Sequence, residues 1–357
     1  MKKLFLSFLR MLPRLPLAAA NKYDNPDTIV VSRDGTGEFR TIDEAIEVCR
    51  AFMDYSKVIY VKKGVYKEKL ILPSWLTNIT ICGEDRDNTI ITWDDHANIK
   101  MPVGGLDSEA AVKGKPMGTF RTYTLKVQGS YITLKNITIE NNAAKLGQAV
   151  SLHLEGDHIL VQNCRLLGNQ DTLFCAPLPE KEREKDGFLG PRGLAPRRAS
   201  AQYYHACEIA GDIDFIFGGA DALFEHCTLR TVDNGLAHSW VTAPSGAADG
   251  LGFVFWDCDF VSDCPAGSVY LGRPWRPTGK TAVLDCRLGA HIAPEGFAGW
   301  NVRTDTALDG FAEAGSTGAG AGERPGWVQA LSAAEAAALL RTARQKCRME
   351  TTEGITE

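Results

Sequence analysis

The sequence predicts an all-β fold, a right-handed parallel β-helix with short helices that cap its N- and C-terminal ends. Three observations lead to this prediction: short segments of alternating apolar residues, a cysteine that returns in similar surroundings, and a helix-forming segment near each end of the chain. Alternating segments of this length are typical of β-strands. A recurring unit is typical of stacked coils, each of which buries its apolar face against its neighbours.

The repeat is clearest in the middle of the chain. Each copy has apolar residues, a cysteine, a variable residue and another apolar residue, and the copies are 160–168, 203–211, 223–231, 253–261 and 282–290. Residues 132–142 fit the same frame with Asn136 at the cysteine position, and residues 78–84 are a looser copy. Cys207 and Cys227 are 20 residues apart, which is close to one coil of a solenoid. Larger spacings elsewhere indicate inserted loops.

The cysteines at the repeated position are predicted to stack inside the solenoid as small apolar residues; they are Cys164, Cys207, Cys227, Cys258 and Cys286. Ten cysteines in an exported chain would ordinarily favour disulfides. Their shared position favours free, buried thiols instead. Cys258 and Cys264 are the two cysteines for which we most expect an exception.

Both ends of the predicted solenoid carry helical patterns. Residues 41–52 have helical spacing, and Thr41 and Glu44 form a capping-box pattern. Residues 331–347 are rich in Ala and Leu, which favour a helix. Because a solenoid needs covered ends, we expect both segments to be end caps.

Composition limits the classes of function. The chain has 357 residues, of which 44% are hydrophobic and 23% charged, with a net charge of −5, as in ordinary globular proteins. There is no basic excess of the kind that nucleic-acid-binding proteins carry. No apolar run reaches the length of a membrane span. We therefore expect no nucleic acid partner and no membrane span, and we expect a monomer.

The chain is predicted to be organised as one domain with two additions. Residues 1–20 resemble a signal peptide, since Lys2 and Lys3 precede an apolar run and small residues, and this predicts export to the periplasm or secretion. Residues 27–347 are predicted to be a single β-helix domain, and 348–357 a disordered tail. Residues 177–200, rich in charge, Pro and Gly, predict an exposed inserted loop, either a solvated insertion or the rim of a cleft.

Four stretches carry residues suited to chemistry: GQAVSL (147–152), GNQDTLF (168–174), DIDFIFGG (212–219) and YLGRPW (270–275). They supply two amides, two carboxylates, a guanidinium and three aromatic rings, namely Gln148, Gln170, Asp171, Asp214, Arg273, Phe174, Phe217 and Trp275. Residues on successive coils of a β-helix stack, so Gln148, Asp171 and Asp214 are predicted to converge on one outer face.

Such a set of groups can perform acyl chemistry. Paired carboxylates in different environments can divide into an acid and a nucleophile. Two amide donors can stabilise a developing oxyanion. An arginine beside a carboxylate keeps the carboxylate ionised and fixes its orientation. No cluster of His and Cys at metal-ligand spacing is evident, and we expect neither a metal nor another cofactor.

These motifs, in this order, resemble those of the pectin methylesterases, carbohydrate esterases that fold as a right-handed β-helix. The resemblance rests on QDTLF, DFIFG and LGRPW together. It extends from about Asp27 to the C-terminal region through 29–46, 59–70, 118–127 and 312–321. It implies hydrolysis of the methyl esters of pectin, with methanol and free galacturonate as products.

The resemblance also implies a role for each site residue. Asp214 would be the nucleophile, Asp171 the general acid and then base, and Arg273 the group that keeps Asp214 ionised. Gln148 and Gln170 would stabilise the oxyanion. The aromatic residues that would line the sugar-binding groove are Trp275, Phe174, Phe217 and Phe120.

Three positions depart from the family pattern. Asp212 stands where the family usually has an uncharged residue; we expect it either to raise a carboxylate pKa by repulsion or, as the preferred interpretation, to turn to solvent. Phe174 replaces a frequent tyrosine, and Ala319 a frequent proline.

Three other functions remain open. A polygalacturonase or pectate lyase would share the fold, but the hydrolase signatures GHG and RIK are not found, and the acids here accompany amides rather than forming a calcium-binding cluster. A related esterase could act on another ester, such as an acyl thioester. A non-catalytic carbohydrate-binding β-helix is disfavoured because Asp171, Asp214 and Arg273 are all present.

Overall fold

The computed structural model describes residues 27–51, 56–101, 114–183, 187–188, 195–300 and 310–348. The predicted right-handed parallel β-helix is confirmed: three sheets wind around one axis, and every pair of neighbouring strands is parallel. The predicted signal peptide lies outside the described residues, as does the predicted tail beyond Arg348. Within the described part of the chain, no helix is both long enough and apolar enough to cross a membrane.

A complete coil contributes one strand to each of three sheets, and sheet A extends beyond the other two at the ends of the solenoid. Sheet A contains β1 (Thr28–Val31), β2 (Lys57–Val61), β5 (Ile79–Gly83), β8 (Ile132–Lys135), β11 (Ile159–Gln162), β14 (Ala201–His205), β17 (Asp221–Glu225), β20 (Phe253–Trp256), β23 (Thr281–Leu284), β25 (Phe311–Ala314) and β26 (Gln329–Ala330). Sheet B contains β3 (Gly64–Lys67), β6 (Thr89–Trp93), β9 (Thr138–Asn141), β12 (Arg165–Leu167), β15 (Glu208–Gly211), β18 (Thr228–Thr231), β21 (Asp259–Ser262) and β24 (Arg287–Leu288). Sheet C contains β4 (Leu70–Leu72), β7 (Leu125–Val127), β10 (Leu152–Leu154), β13 (Leu173–Cys175), β16 (Ile213–Gly218), β19 (Ser239–Pro244) and β22 (Val269–Gly272).

The core runs along the axis between the three sheets. Equivalent positions of successive coils stack, so Phe224 lies between Tyr204 and Phe255 with ring centroids 4.4 and 4.5 Å away. All three side chains are buried. Because aromatic rings bury large apolar areas, such stacking contributes strongly to the stability of the solenoid.

In six successive coils, from β8 to β24, a tight turn joins sheet A to sheet B, and it explains the repeat. One residue adopts positive φ, as Asn163 does at +48° and His226 at +56°, and the next residue, usually cysteine, points inward. The predicted frame of residues 132–142 was wrong by one position. Gln162 pairs with Lys135, so Asn136 aligns with Asn163 and Ile137 takes the cysteine position.

The repeated cysteines are free and buried, as predicted; they are Cys164, Cys207, Cys227, Cys258 and Cys286. The exception that we expected at Cys258 and Cys264 was wrong, since both thiols are free. The amide of Cys227 lies 3.4 Å from the sulfur of Cys258, which places the thiols in one column along the axis.

Both predicted terminal helices are present with capping boxes. Helix α1 (Ile42–Glu47) is capped by Thr41 and Glu44 and contacts β1, β2 and β4 at the N-terminal end. Helix α2 (Ala333–Cys347) does not cover the end of the solenoid, contrary to the expectation of an end cap. It lies across the outer face of sheet A, because its small buried side chains pack on apolar residues there, such as Leu223.

Candidate active site

A cavity of about 320 Å³ opens on the outer face of sheet C. It brings together all but one of the predicted site residues: Phe120, Gln148, Gln170, Asp171, Asp214, Phe217, Arg273 and Trp275. These residues come from successive coils and from the short 3₁₀ helix Thr119–Arg121. The expected convergence on one outer face is therefore confirmed.

The two carboxylates occupy equivalent positions on neighbouring coils. Leu173 pairs with Ile216, and this register places Asp171 opposite Asp214. Both aspartates have positive φ, +66° for Asp171 and +48° for Asp214. Aspartate is among the few residues that tolerate this conformation. The same backbone geometry therefore presents two carboxyl groups, one above the other, at the mouth of the cavity.

Strand β16 departs from the simple inward and outward alternation of a β-strand beside Asp214. Its pairing with β19 shifts between Ile213 and Ile216, as in a β-bulge. Phe215 and Ile216 both enter the core, while Phe217 returns to the cavity. Asp214 can thus be followed by three large apolar residues, because the bulge turns the aspartate outward and the next two side chains inward.

Two glycines around this strand are required by space. A Cβ on Gly211 would lie 2.2 Å from the Cβ of Phe215. Gly218 has φ of +126°, and a Cβ there would lie 2.0 Å from the carbonyl oxygen of Cys175. Both contacts are too short for any side chain, so glycine permits the close approach that seats the bulge.

Arg273 follows β22 and binds Asp214 through two parallel hydrogen bonds. Its Nε donates to Oδ1 at 2.9 Å and its Nη2 to Oδ2 at 2.7 Å. The guanidinium lies between two indole rings, 3.8 Å from the centroid of Trp240 and 4.4 Å from that of Trp300. This bidentate and stacked arrangement fixes the orientation of the Asp214 carboxylate.

Burial and neighbouring charges shift the pKa values of both aspartates, but to different extents. Burial raises the pKa of Asp171 well above its usual value, and the negative charge of Asp214 raises it further. Burial also raises the pKa of Asp214, but the charge and hydrogen bonds of Arg273 oppose that rise. Of the pair, Asp171 is therefore the group that retains a proton more readily.

Gln148 and Gln170 line the cavity from the loops that precede β10 and β13. The amide of Ala149 donates to the carbonyl of Gln170 at 3.0 Å, which holds the two loops one above the other. Both residues therefore line the same cavity as the two carboxylates.

Phe174 is the predicted site residue that does not line this cavity. It is only 1% exposed, because the rings of Phe120, Phe217 and His153 cover it at centroid distances of 5.0, 4.9 and 4.7 Å. Phe174 therefore does not line this cavity but a neighbouring one, and its contact with substrate stays a prediction. Its ring supports the rings that line the cavity of the two aspartates.

Asp212 does not turn to solvent, contrary to the preferred interpretation. It is 4% exposed, and its Oδ1 accepts a hydrogen bond from the amide of Ile213 at 2.7 Å. Lys145 lies 4.0 Å from its other oxygen. Among the causes that raise the pKa of Asp171, the charge of Asp212 is the smallest. This agrees with the alternative that Asp212 acts by repulsion.

Sequence reasoning missed several residues that line the cavity, namely Arg183, Phe188 and Trp300. Trp300 follows the last coil of sheet C, and no repeat or motif marked it. Arg183 and Phe188 lie in the inserted loop, where the possibility of a cleft rim was the available signal. Within the described ranges, no group of three or more His, Cys, Asp or Glu side chains is arranged to hold a metal ion.

Comparison with known proteins gives a consistent result. The family model for pectinesterase matches residues 28–178 and 197–342. A pectinesterase from Petunia integrifolia is 30% identical over 282 residues, which cover 76% of this chain and 65% of that protein. The chain thus spans less than two thirds of that relative, and less than half of two relatives from Arabidopsis thaliana.

Solved structures agree in fold. Pectin methylesterase from carrot is 26% identical with a TM-score of 0.69, over 86% of this chain and 89% of that chain. Pectin methylesterase from Erwinia chrysanthemi is 25% identical with a TM-score of 0.70, over 91% of this chain and 98% of that chain.

Proposed function

Because the chain belongs to the pectinesterase family, we propose that it hydrolyses the methyl esters of pectin and releases methanol and free galacturonate carboxylates. The observation that carries this proposal is the pair of stacked aspartates, of which Asp214 is held by Arg273 and Asp171 is not. An ionised carboxylate beside a protonated one supplies a nucleophile and a proton donor at one place.

In the first half of the proposed reaction, the carboxylate of Asp214 attacks the carbonyl carbon of the methyl ester. The negative charge that develops on the carbonyl oxygen is stabilised by the side-chain amides of Gln148 and Gln170. Asp171 donates its proton to the departing methoxide, so methanol leaves and an acyl-enzyme remains on Asp214. The raised pKa of Asp171 supports this role, because the acid must hold its proton until that moment.

In the second half, Asp171 is a carboxylate and acts as the base. It takes a proton from water, and the resulting hydroxide attacks the acyl carbon. The bond to Asp214 then breaks, which returns Asp214 to its carboxylate form beside Arg273 and releases the product as galacturonic acid, whose remaining proton passes to solvent. No charge has to leave the protein, since the proton given to methanol is replaced by one from water.

Aromatic rings on the cavity wall support a sugar substrate. Phe217 lies 5.9 Å from Trp275 in an edge contact, and Phe120 adjoins both Phe217 and Phe174. Flat apolar faces of this kind pack against sugar rings. One similar solved structure is a pectin methylesterase in complex with a hexasaccharide, at 25% identity. We infer that an oligogalacturonate chain lies across the same face here.

We also propose that residues 27–347 form a single catalytic domain with an insertion at about 177–200. Continuous pairing of sheet A from β1 to β26 supports this, as does the family match on both sides of the insertion. Export of the protein and a monomeric state remain predictions.

The test measures methanol release from highly methylated pectin, with new reducing ends followed in parallel. Wild type is expected to release methanol without new reducing ends, and Asp214→Asn to lose that activity by roughly a thousandfold or more. Asp263→Asn, which removes an exposed carboxylate outside the cavity, is the matched control and should retain it. New reducing ends would indicate chain cleavage instead, and a folded wild type without methanol release would contradict the proposal.

A further inference from the structure

The inserted loop supplies one wall of the catalytic cavity, although the family model passes over residues 179–196. Arg183 and Phe188 from this loop line the same cavity as Asp171 and Asp214. Arg183 and Phe188 thus add a cation and an aromatic ring to the cavity from a segment that the family model does not match.

Several contacts hold the loop against the cavity. Phe188 makes edge contacts with Phe120 and Trp275, each at a centroid distance of 6.1 Å. The guanidinium of Arg183 lies 4.7 Å from the ring of Trp300. Arg276 donates a hydrogen bond to the carbonyl of Lys181 at 2.6 Å. The loop thus contacts aromatic residues and a cation of the cavity rather than standing away in solvent.

Two arginines on this side of the cavity repel each other, although the loop also carries acids such as Glu182, which accepts a hydrogen bond from the amide of Phe188. Arg183 and Arg276 both line the cavity. Burial lowers the pKa of Arg276, and the charge of Arg183 lowers it further. Arg273 is already occupied by Asp214. An anion placed between Arg183 and Arg276 would relieve the repulsion and gain two favourable interactions.

We propose that Arg183, together with Arg276, binds the free carboxylate of a galacturonate unit that neighbours the reacting ester. This inference rests on the proposed function and extends it. A partly de-esterified chain contains such carboxylates beside methyl esters, whereas a fully methylated chain contains none. The protein should therefore act preferentially on partly de-esterified pectin.

The experiment compares two substrates at equal methyl ester concentration: highly methylated pectin, and the same batch partly saponified with base. Methanol release gives kcat and KM for each. Wild type should favour the saponified substrate, and Arg183→Gln should reduce that preference about three- to fivefold through KM, the size expected for an exposed charge pair. Arg183→Lys should keep part of the preference. Added salt should weaken the wild-type preference, because the group is exposed.

Arg341→Gln is the matched control, since Arg341 is an exposed arginine on α2, remote from sheet C. It should keep the wild-type ratio. Equal losses on both substrates in Arg183→Gln, or an unchanged ratio, would overturn the inference while leaving the esterase activity established. Absence of methanol release from wild type would overturn the proposed function, and this inference with it.

Discussion

Two regions of the molecule bury a carboxylate against arginine, with opposite results. In the cavity on sheet C, Asp214 is bound, within the described part of the chain, by Arg273 and by no second arginine, and it lies on the coil next to Asp171. Below helix α2, Glu225 accepts hydrogen bonds from Arg344 at 3.0 Å and Arg348 at 2.7 Å, and from the hydroxyl of Tyr203. Among the described residues, the Asp214 carboxylate thus has one donor residue, whereas the Glu225 carboxylate has three.

The difference appears in the pKa values. Burial would raise the pKa of Glu225, but the hydrogen bonds from Arg348, Tyr203 and Arg344 lower it to about 2. The pKa of Asp214 stays above its usual value although its arginine is bidentate. Burial and an arginine partner are therefore not sufficient to predict the protonation state. The number of donors for each carboxylate decides it, and this number separates a stabilising ion cluster from a reactive one.

The largest effect is expected from removing Arg273, the arginine that binds Asp214. Arg273→Gln should lower the rate of methanol release about a hundredfold at neutral pH, the size of two charge-assisted hydrogen bonds. The pKa of Asp214 should rise, because the charge and hydrogen bonds of Arg273 oppose the effect of burial. The nucleophile must be ionised, so the acid limb of the pH–rate profile should move to higher pH.

Arg273→Lys separates charge from geometry in the same experiment. It keeps a cation but loses the bidentate fork and the planar stacking on Trp240 and Trp300. It should restore the position of the acid limb more fully than the rate. An unchanged acid limb in Arg273→Gln would show that Arg273 does not control the ionisation of Asp214.

The second region is tested by Glu225→Gln, which should reduce the free energy of unfolding by about 2 kcal/mol at pH 7. Solvent screening limits this loss of stability, because the side chains of Arg344 and Arg348 are 32% and 40% exposed. The folded pKa of about 2 lies below the ordinary value of 4.5, so this stability is present above pH 4.5. It is lost as the pH falls toward 2.

Urea unfolding of wild type and Glu225→Gln across this pH range provides the measurement. The difference between the two proteins should be full at pH 6 and shrink steadily below pH 4.5. Arg341→Gln on the same helix should have little effect. A difference that did not depend on pH would mean that Glu225 stabilises through packing rather than charge.

The smallest effect is expected from Asp212, the buried acid close to the two aspartates of the cavity. Asp212→Asn removes the weakest of the charges that raise the pKa of Asp171. The pKa of Asp171 should therefore fall slightly. If Asp171 must be protonated to act as the acid, the alkaline limb of the pH–rate profile should move to lower pH by about a few tenths of a unit. No movement, or movement to higher pH, would exclude an electrostatic role for Asp212.

Much of this fold was predictable because a solenoid repeats. The cysteine frame marked the turns between sheets A and B, and stacking then placed Gln148, Asp171 and Asp214 on one face. The register of residues 132–142 was not predictable in this way, because both an asparagine and an aliphatic residue fit the pattern. Only the pairing of Gln162 with Lys135 resolves it.

The rest of the site depends on features that strict periodicity does not encode. The bulge in β16 interrupts the alternation after Asp214. The burial of Asp212 and Phe174 depends on residues far away in the sequence that cover them, as Phe120 covers Phe174. Trp300 reaches the cavity from outside the repeats. Such long-range contacts leave no local signal in the sequence.

The column of free thiols has a consequence for how the molecule can be observed. Five successive coils each bury one cysteine at the same position, where reagents cannot reach it in the folded state. Burial also raises the pKa of Cys164 to about 12, so the thiolate of Cys164 that reacts with alkylating reagents is scarce. A coil that opens exposes its own thiol. The rate at which each cysteine is alkylated therefore reports the opening of its coil, and the column serves as a set of intrinsic probes for the order in which the solenoid unravels.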